Sequence, residues 1–189
     1  MTLNLILLGA PGSGKGTQGS ILSETLGLQK VATGDLLRAA VQRETPLGLE
    51  AKDFMEQGML VPDTVILGLI DEVLNSSGAS RGIIMDGFPR TVAQAEAVDR
   101  QLEAQNMQVD HVLSFEVPEA ELISRMMGRA AREGRADDTP EAFQQRLQVY
   151  REQTAPLLDF YQQRGIVKVL DGTGSIEEIA RRTHQAVTA

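Results

Sequence analysis

An α/β fold of three layers, built on a central parallel sheet of five strands, is what the sequence predicts, and three observations carry it. Short apolar runs alternate with helical patterns along the chain, an order that places parallel strands between two layers of helix. A glycine-rich turn stands directly between the first run and the first helix. With 42% hydrophobic and 23% charged residues over 189 positions, the chain can also bury one sizeable core.

Each element follows from its local pattern. Asn4 to Leu8 is a short buried strand, and a helix runs from about Lys15 to Leu26. Gln29 to Ala32 is the second strand. From Asp35 to about Ser77 the pattern is helical, broken at Pro46, Gly58 and Pro62, which is more helix than one crossover needs. Gly82 to Met85 is the third strand and leads to a helix from about Val92. His111 to Val117 is the fourth, followed by a helix opening at Pro118, with Glu119 and Glu121 suited to its positive end. Gly128 to Pro140 is polar and lacks a regular apolar period. The helix starting near Thr139 and Pro140 has Phe143, Leu147, Tyr150, Leu157, Leu158 and Tyr161 as apolar positions, and Pro156 is expected to kink or divide it. Ile166 to Leu170 closes the sheet, and Ser175 with Glu178 forms a capping box for the last helix. The two stretches that fit the alternation poorly read as insertions over the sheet edge of a single domain spanning residues 1–189.

Composition narrows the function classes. With no cysteine, the chain has no disulfide framework, thiolate zinc site or cysteine nucleophile. A formal net charge of -8 argues against non-specific nucleic-acid binding, which needs a net basic face. The longest apolar run near the N-terminus is Leu5 to Leu8, with no basic segment before it, so neither a membrane span nor a signal peptide is expected. No long apolar heptad pattern calls for association, which favours a monomer. Of the 18 basic residues 14 are Arg, the side chain suited to two-point contact with phosphate. Arg125, Arg129, Arg132 and Arg135 stand in one short run against the single acid Glu133.

Three motifs carry chemistry. In Gly9-Ala10-Pro11-Gly12-Ser13-Gly14-Lys15-Gly16-Thr17, Gly12 and Gly14 permit unusual backbone dihedrals that bring N–H groups to phosphate oxygens at a helix N-terminus. Lys15 would then sit on the outer phosphates and Thr17 reach toward Mg²⁺, although a hydroxyl residue usually follows the lysine directly and Gly16 intervenes here. Ile83-Ile84-Met85-Asp86 is an apolar strand ending in a carboxylate where a phosphate-bound metal would lie, and Gly87-Phe88-Pro89-Arg90 puts an arginine beside the same crevice. Arg125, Arg129 and Arg132 form one stripe of a helix beside the apolar Leu122, Met126 and Ala130. Arg146 follows in the next helix. His111 and His184 stand far apart and suit no catalytic base. A phosphate acceptor, mostly dianionic near neutral pH, needs none; charge neutralisation and alignment suffice.

With these motifs in view the chain resembles the adenylate kinases with a short lid, over essentially its whole length. The matching segments, in order, are Gly12 to Thr17, Thr33-Gly34-Asp35-Leu36-Leu37-Arg38, Gly58-Met59-Leu60-Val61-Pro62, Asp86-Gly87-Phe88-Pro89-Arg90-Thr91, Arg125 with Arg129, Gly134-Arg135-Ala136-Asp137-Asp138, and Arg146. Gly16 after the lysine is this family's own form. The resemblance implies a P-loop kinase fold and reversible transfer of the terminal phosphoryl group of MgATP to AMP, giving two ADP, in nucleotide metabolism.

Position by position it implies that Gly12, Ser13, Gly14, Lys15, Gly16 and Thr17, with Arg129 and Gly174, bind ATP. Thr33, Arg38, Met59, Leu60, Val61, Gly87, Phe88, Pro89, Arg90, Gln94, Arg135 and Arg146 match the AMP site, Gln94 reading the adenine edge. Lys15, Arg90, Arg125, Arg129, Arg135 and Arg146 would stabilise the phosphoryl group in flight, and Asp86 would orient water on Mg²⁺. Residues 32–61 would form the cover over the monophosphate and 128–138 the lid, too short and cysteine-free for the zinc-bearing lid of some relatives. The expected partners are the nucleotides ATP, AMP and ADP, the cofactor Mg²⁺ without zinc, and the location cytoplasmic. A pyrimidine monophosphate kinase shares the fold and most motifs; Thr33 before Gly34-Asp35, together with Gln94, resembles the adenine-specific pattern more closely. A nucleotide-dependent switch is the reading from another class, and an intact arginine set and a second nucleotide cover speak against it.

Overall fold

The computed structural model describes residues 2–67, 81–133 and 139–188. Its centre is a sheet of five parallel strands, β1 (Leu5–Gly9), β2 (Gln29–Ala32), β3 (Ile83–Asp86), β4 (His111–Glu116) and β5 (Val167–Asp171), in the order β2-β3-β1-β4-β5. The chain leaves β1 toward β2 and β3 on one side and toward β4 and β5 on the other. A crevice therefore opens beyond the carboxyl end of β1, the place where such sheets take ligands.

Three strands sit one residue later than their apolar runs suggest. Asn4 shows the reason at the first. Its side chain accepts from the Ile83 N–H at 3.3 Å and donates to the Gln108 carbonyl at 2.9 Å, while its own N–H donates to the Asp110 carboxylate at 2.7 Å. Asn4 thus ties the starts of three strands together instead of joining the ladder. At the other end the register sets Leu7 opposite both Asp86 and Leu113, which brings the last residue of β3 level with the middle of β1.

The helices are α1 (Lys15–Leu26), α2 (Thr33–Gln42), α3 (Pro46–Glu56), α4 (Val92–Glu103), α5 (Glu119–Glu133), α6 (Pro140–Val149), α7 (Pro156–Gln162) and α8 (Ile176–Thr188); residues 63–67 are also helical. Alternation along β1 divides the core. Ile6 and Leu8 face one layer, with Val98 and Leu102 of α4 and Leu157 and Tyr161 of α7. Leu5 and Leu7 face the other, with Leu22 of α1 and Ile179 of α8. A smaller cluster, Leu122 and Met126 with Phe143 and Leu147, joins α5 to α6.

Two expectations need correction. Residues 128–133, read as part of an irregular polar stretch, continue α5; Gly128 is tolerated because Leu122 and Met126, both buried, already hold the helix in place. Residues 134–138 of that stretch, and 68–77 at the end of the long helical pattern, lie outside the described residues. The second concerns Asp35, read as the start of a helical pattern: α2 begins at Thr33, with no side-chain cap on Ala32. Pro156 divides its helix rather than kinking it. Residues Tyr150–Thr154 form a π-helical turn, in which the Ala155 N–H reaches the Tyr150 carbonyl at 2.8 Å. Proline has no N–H to continue the regular ladder, and the widened turn absorbs the break.

Gly58 holds the end of the 32–61 span against α6. Its φ is +71°, and a Cβ there would lie 2.6 Å from the Ala142 carbonyl oxygen. Gly58→Ala is therefore expected to cost at least the ~1–2 kcal/mol of a left-handed conformation on an L-residue, read as a lowered urea midpoint with unchanged slope.

Candidate active site

The loop from β1 to α1 wraps an ammonium group. Gly12 and Gly14 have φ of +85° and +92°, so each takes a conformation that costs an L-side chain about 1–2 kcal/mol. Gly12 has a second constraint, since a Cβ would meet the Leu122 carbonyl oxygen at 2.9 Å. The loop's turn is closed by the Ser13 N–H donating to the Ala10 carbonyl at 3.1 Å. Lys15 Nζ donates inward to the Gly9 carbonyl at 2.6 Å, the Ala10 carbonyl at 3.1 Å and Ser13 Oγ at 3.4 Å. Burial of that ammonium pushes its pKa down to about 8, Asp86 opposing the shift while Arg90 and Arg129 reinforce it. At Gly14 α1 opens with no side-chain cap and no acid in its first turn, leaving the positive helix end for an anion.

A cleft of about 260 Å³ extends from this loop across the carboxyl ends of the strands. It is lined by Gly12, Gly14, Lys15 and Gly16 from the loop, Thr33 and Arg38 from α2, and Met59, Leu60 and Val61 beyond α3. Asp86 to Arg90, Gln94, Arg129 and Arg146 complete the opposite wall. Arg90 is anchored by its Nε donating to the Gly87 carbonyl at 2.8 Å. Its guanidinium pKa is lowered, by burial first and then by Arg146, with Asp86 opposing and Arg38 adding. Five cationic groups, Lys15, Arg38, Arg90, Arg129 and Arg146, thus feel one another around one space. Such a gathering is unfavourable without an anion to neutralise it.

Gln94 is 3% exposed and held at both ends of its amide. Thr91 caps α4 by accepting from the Gln94 N–H at 3.2 Å. The side-chain carbonyl accepts from the Arg90 N–H at 2.7 Å, and its amide nitrogen donates to the Asp63 carboxylate. One amide hydrogen and one carbonyl lone pair are left over. Thr33 is 2% exposed and uses its hydroxyl on the Asp86 carbonyl at 3.5 Å, not as a helix cap. Arg38 donates to Asp35 at 2.5 Å.

Other expected positions fall elsewhere. Ser13 is buried beneath the loop as a partner of Lys15, and Thr17 is exposed in the first turn of α1. Arg125 does not line the cleft: its guanidinium donates to Glu121 and to the Gly172 carbonyl at 2.8 Å, pinning α5 to the loop after β5. Gly174, with φ of +105°, packs by Glu178 and Arg182 in that loop. Arg135 lies outside the described residues.

The family model of adenylate kinase matches residues 7–166. The chain belongs to the adenylate kinase family. It is 48% identical over 180 residues to the adenylate kinase of Xylella fastidiosa (strain M23), covering 95% of this chain and 96% of that one. Over 175 residues it is 47% identical to that of Leptospira biflexa serovar Patoc (strain Patoc 1 / Ames), covering 93% and 94%. Over 185 residues it is 46% identical to that of Xanthomonas campestris pv. campestris (strain 8004), covering 98% and 99%. It is accordingly an enzyme, a nucleotide-binding phosphotransferase. Among the described residues no helix is long and apolar enough to cross a membrane, and no group of three or more His, Cys, Asp or Glu side chains could hold a metal ion.

In this chain several side chains at the site went unread in the sequence. Tyr150 and Thr154 of the π turn line the cleft, brought there by a widened turn that periodicity cannot announce. Asp63 reaches Gln94 from another segment. Lys30 stands on β2 with its ammonium 3.7 Å from the Asp86 carboxylate. A lysine inside a short strand of a parallel sheet was the available signal, because such strands are ordinarily covered on both faces.

Proposed function

We propose that the protein catalyses reversible, Mg²⁺-dependent transfer of the terminal phosphoryl group of ATP to AMP, giving two ADP, without a general base. One observation supports this above others: Lys15, Arg38, Arg90, Arg129 and Arg146 line a single cleft at the carboxyl ends of the strands. An oxygen of the AMP phosphate attacks the γ-phosphorus, and the bond to the β,γ-bridging oxygen breaks, its electron pair leaving with ADP. The attacking oxygen already carries charge, so no proton must be removed first. Lys15 and the N–H groups of Gly12 to Thr17 take the ATP phosphates, with Arg129 and Gly174 beside them. Arg38, Arg90, Arg135 and Arg146 take the AMP phosphate, in a pocket walled by Thr33, Met59, Leu60, Val61 and Gly87 to Pro89. Arg125, whose Nη1 lies beside Gly14 of the loop although outside the cleft lining, would join the charge stabilisation only by leaving Glu121 when ATP is bound.

Thr17 and, through water, Asp86 would hold the Mg²⁺ that arrives with ATP and neutralises its outer phosphates. The donor set fits: a single carboxylate, 13% exposed at a strand end and facing Gly16 at the start of α1, suits a cation that keeps most of its waters. Residues 32–61 act as the cover over AMP and 128–138 as the lid, closing to exclude water. We place the enzyme in the cytoplasm as a monomer.

The test offers AMP, CMP, UMP and GMP separately with MgATP and follows ADP, using Lys15→Met as the blank. Strong preference for AMP is expected; preference for a pyrimidine keeps the mechanism and overturns the base assignment, and no transfer to any acceptor overturns the reading. The free N–H and lone pair of Gln94 complement the N1 and N6 of adenine. Gln94→Leu is therefore expected to raise the KM for AMP by about ten-fold or more, the scale of a buried hydrogen bond left unmade, while the KM for ATP stays the same.

A further inference from the structure

We propose that Lys30 is a positioning residue that acts as the counter-ion of Asp86 and thereby sets how strongly the enzyme prefers MgATP to free ATP. Its ammonium makes three directed contacts, to the Gly16 carbonyl at 2.7 Å, Ser20 Oγ at 3.1 Å and, as an ion pair, Asp86 Oδ2 at 3.7 Å. Both partners of the pair are sheltered, at 16% and 13% exposure, so water screens it only weakly. The side chain reaches this point because α1 has no side chains in its path. A Cβ on Gly19 would stand 3.3 Å from Lys30 Cε, and one on Gly16 would stand 3.6 Å from Asp86 Oδ2 and 4.0 Å from Lys30 Nζ. Pairing in register, Lys30 with Ile84 and Ala32 with Asp86, sets the two charged side chains on the same face of the sheet.

The consequence rests on the reading of Asp86 as the residue that orients water on Mg²⁺. A carboxylate already facing an internal cation holds a hydrated metal less firmly than a bare one. Lys30 therefore competes with the metal's water shell for Asp86, and its effect on the preference for MgATP runs through that carboxylate. Lys15 also faces Asp86, but its contacts are to the loop carbonyls. Of the two lysines, Lys30 is the one within ion-pair distance of Asp86.

The test measures the affinity for ATP by calorimetry without AMP, once in excess Mg²⁺ and once in chelator. The ratio of the two affinities is compared in the parent, Lys30→Met, Asp86→Asn and the double variant. Lys30→Met is expected to raise the preference for MgATP about five-fold, a coupling ordinary for side chains of one ion-pair network, and to leave it within two-fold once Asp86 is Asn. Should Lys30→Met fail to fold, as thermal unfolding would show, Lys30→Gln carries the same expectation. An equal effect in both backgrounds would overturn the proposal, making Lys30 a general cation for phosphate. Affinities falling together with an unchanged ratio would also overturn it, leaving Lys30 a strut for the loop through Gly16. If Asp86→Asn by itself keeps the parent ratio, the reading of Asp86 fails and takes the proposal with it. That result differs from Asp86→Asn lowering the ratio while Lys30→Met acts alike in both backgrounds.

Discussion

Replacing Lys15 by Met is expected to reduce phosphoryl transfer by on the order of 10³ or more, since a preorganised charge on the outer phosphates is lost from a site that excludes water. The fold should survive. Lys15 contributes little to the core, its ammonium bonding loop carbonyls and Ser13 rather than apolar groups. Its burial makes the charged state costly, as the pKa near 8 records. A group whose basicity is lowered on folding holds its proton more loosely folded than unfolded, so stability rises with pH wherever the unfolded chain is the more protonated. Lys15 therefore costs stability in full below pH about 8, and the cost fades as pH rises from about 8 toward 10.5. A phosphate beside the ammonium reverses this. Calorimetry near pH 8 in buffers of different ionisation enthalpy is expected to show proton uptake when ATP binds, and Lys15→Met should lose that uptake. Uptake of equal size in the variant would assign the proton to another group and remove Lys15 from the phosphates.

Arg129→Ala is the second large effect, with kcat expected to fall by about 10³ at saturating ATP, the lower range for an arginine acting as a finger on the transferring group. Arg129 lies on the last turns of α5, lines the cleft and contributes to the depressed pKa of Lys15. The helix does not depend on it, because Leu122 and Met126 supply the buried face. Stability should then change little while turnover collapses. Arg151 is the fitting control, since it is an arginine whose partner is Glu119 and whose side chain is 60% exposed. Surface pairs of that kind contribute at most about 1 kcal/mol, so Arg151→Ala should keep normal turnover. Near-normal kcat in Arg129→Ala would remove that arginine from the reaction.

Much of this site is legible in the amino-acid sequence. The loop from Gly12 to Thr17 and the segment from Asp86 to Arg90 are local: chemistry and backbone demands sit in adjacent positions, and both segments line the cleft or support it. The arginine stripe is legible as a stripe, but its members part company in space. Arg129 faces the cleft, whereas Arg125 is drawn to Glu121 and the Gly172 carbonyl. Helical spacing places side chains on one face without saying which neighbour competes for each. Asn4 makes the same point at the start of the sheet, where hydrogen bonds to distant segments move a strand boundary by one residue.

By itself the sequence determined the alternation of strand and helix, the five parallel strands and the phosphate-type loop. These follow from periodicity and from glycines whose dihedrals are demanded by their immediate neighbours. Only the tertiary structure decided that Lys30 stands against Asp86, that Asp63 pins Gln94, and that the π turn before Pro156 reaches the cleft. Those meetings join residues far apart along the chain. Their distances are set by the sheet order β2-β3-β1-β4-β5 and by which side chains leave room between layers, and no local pattern encodes either.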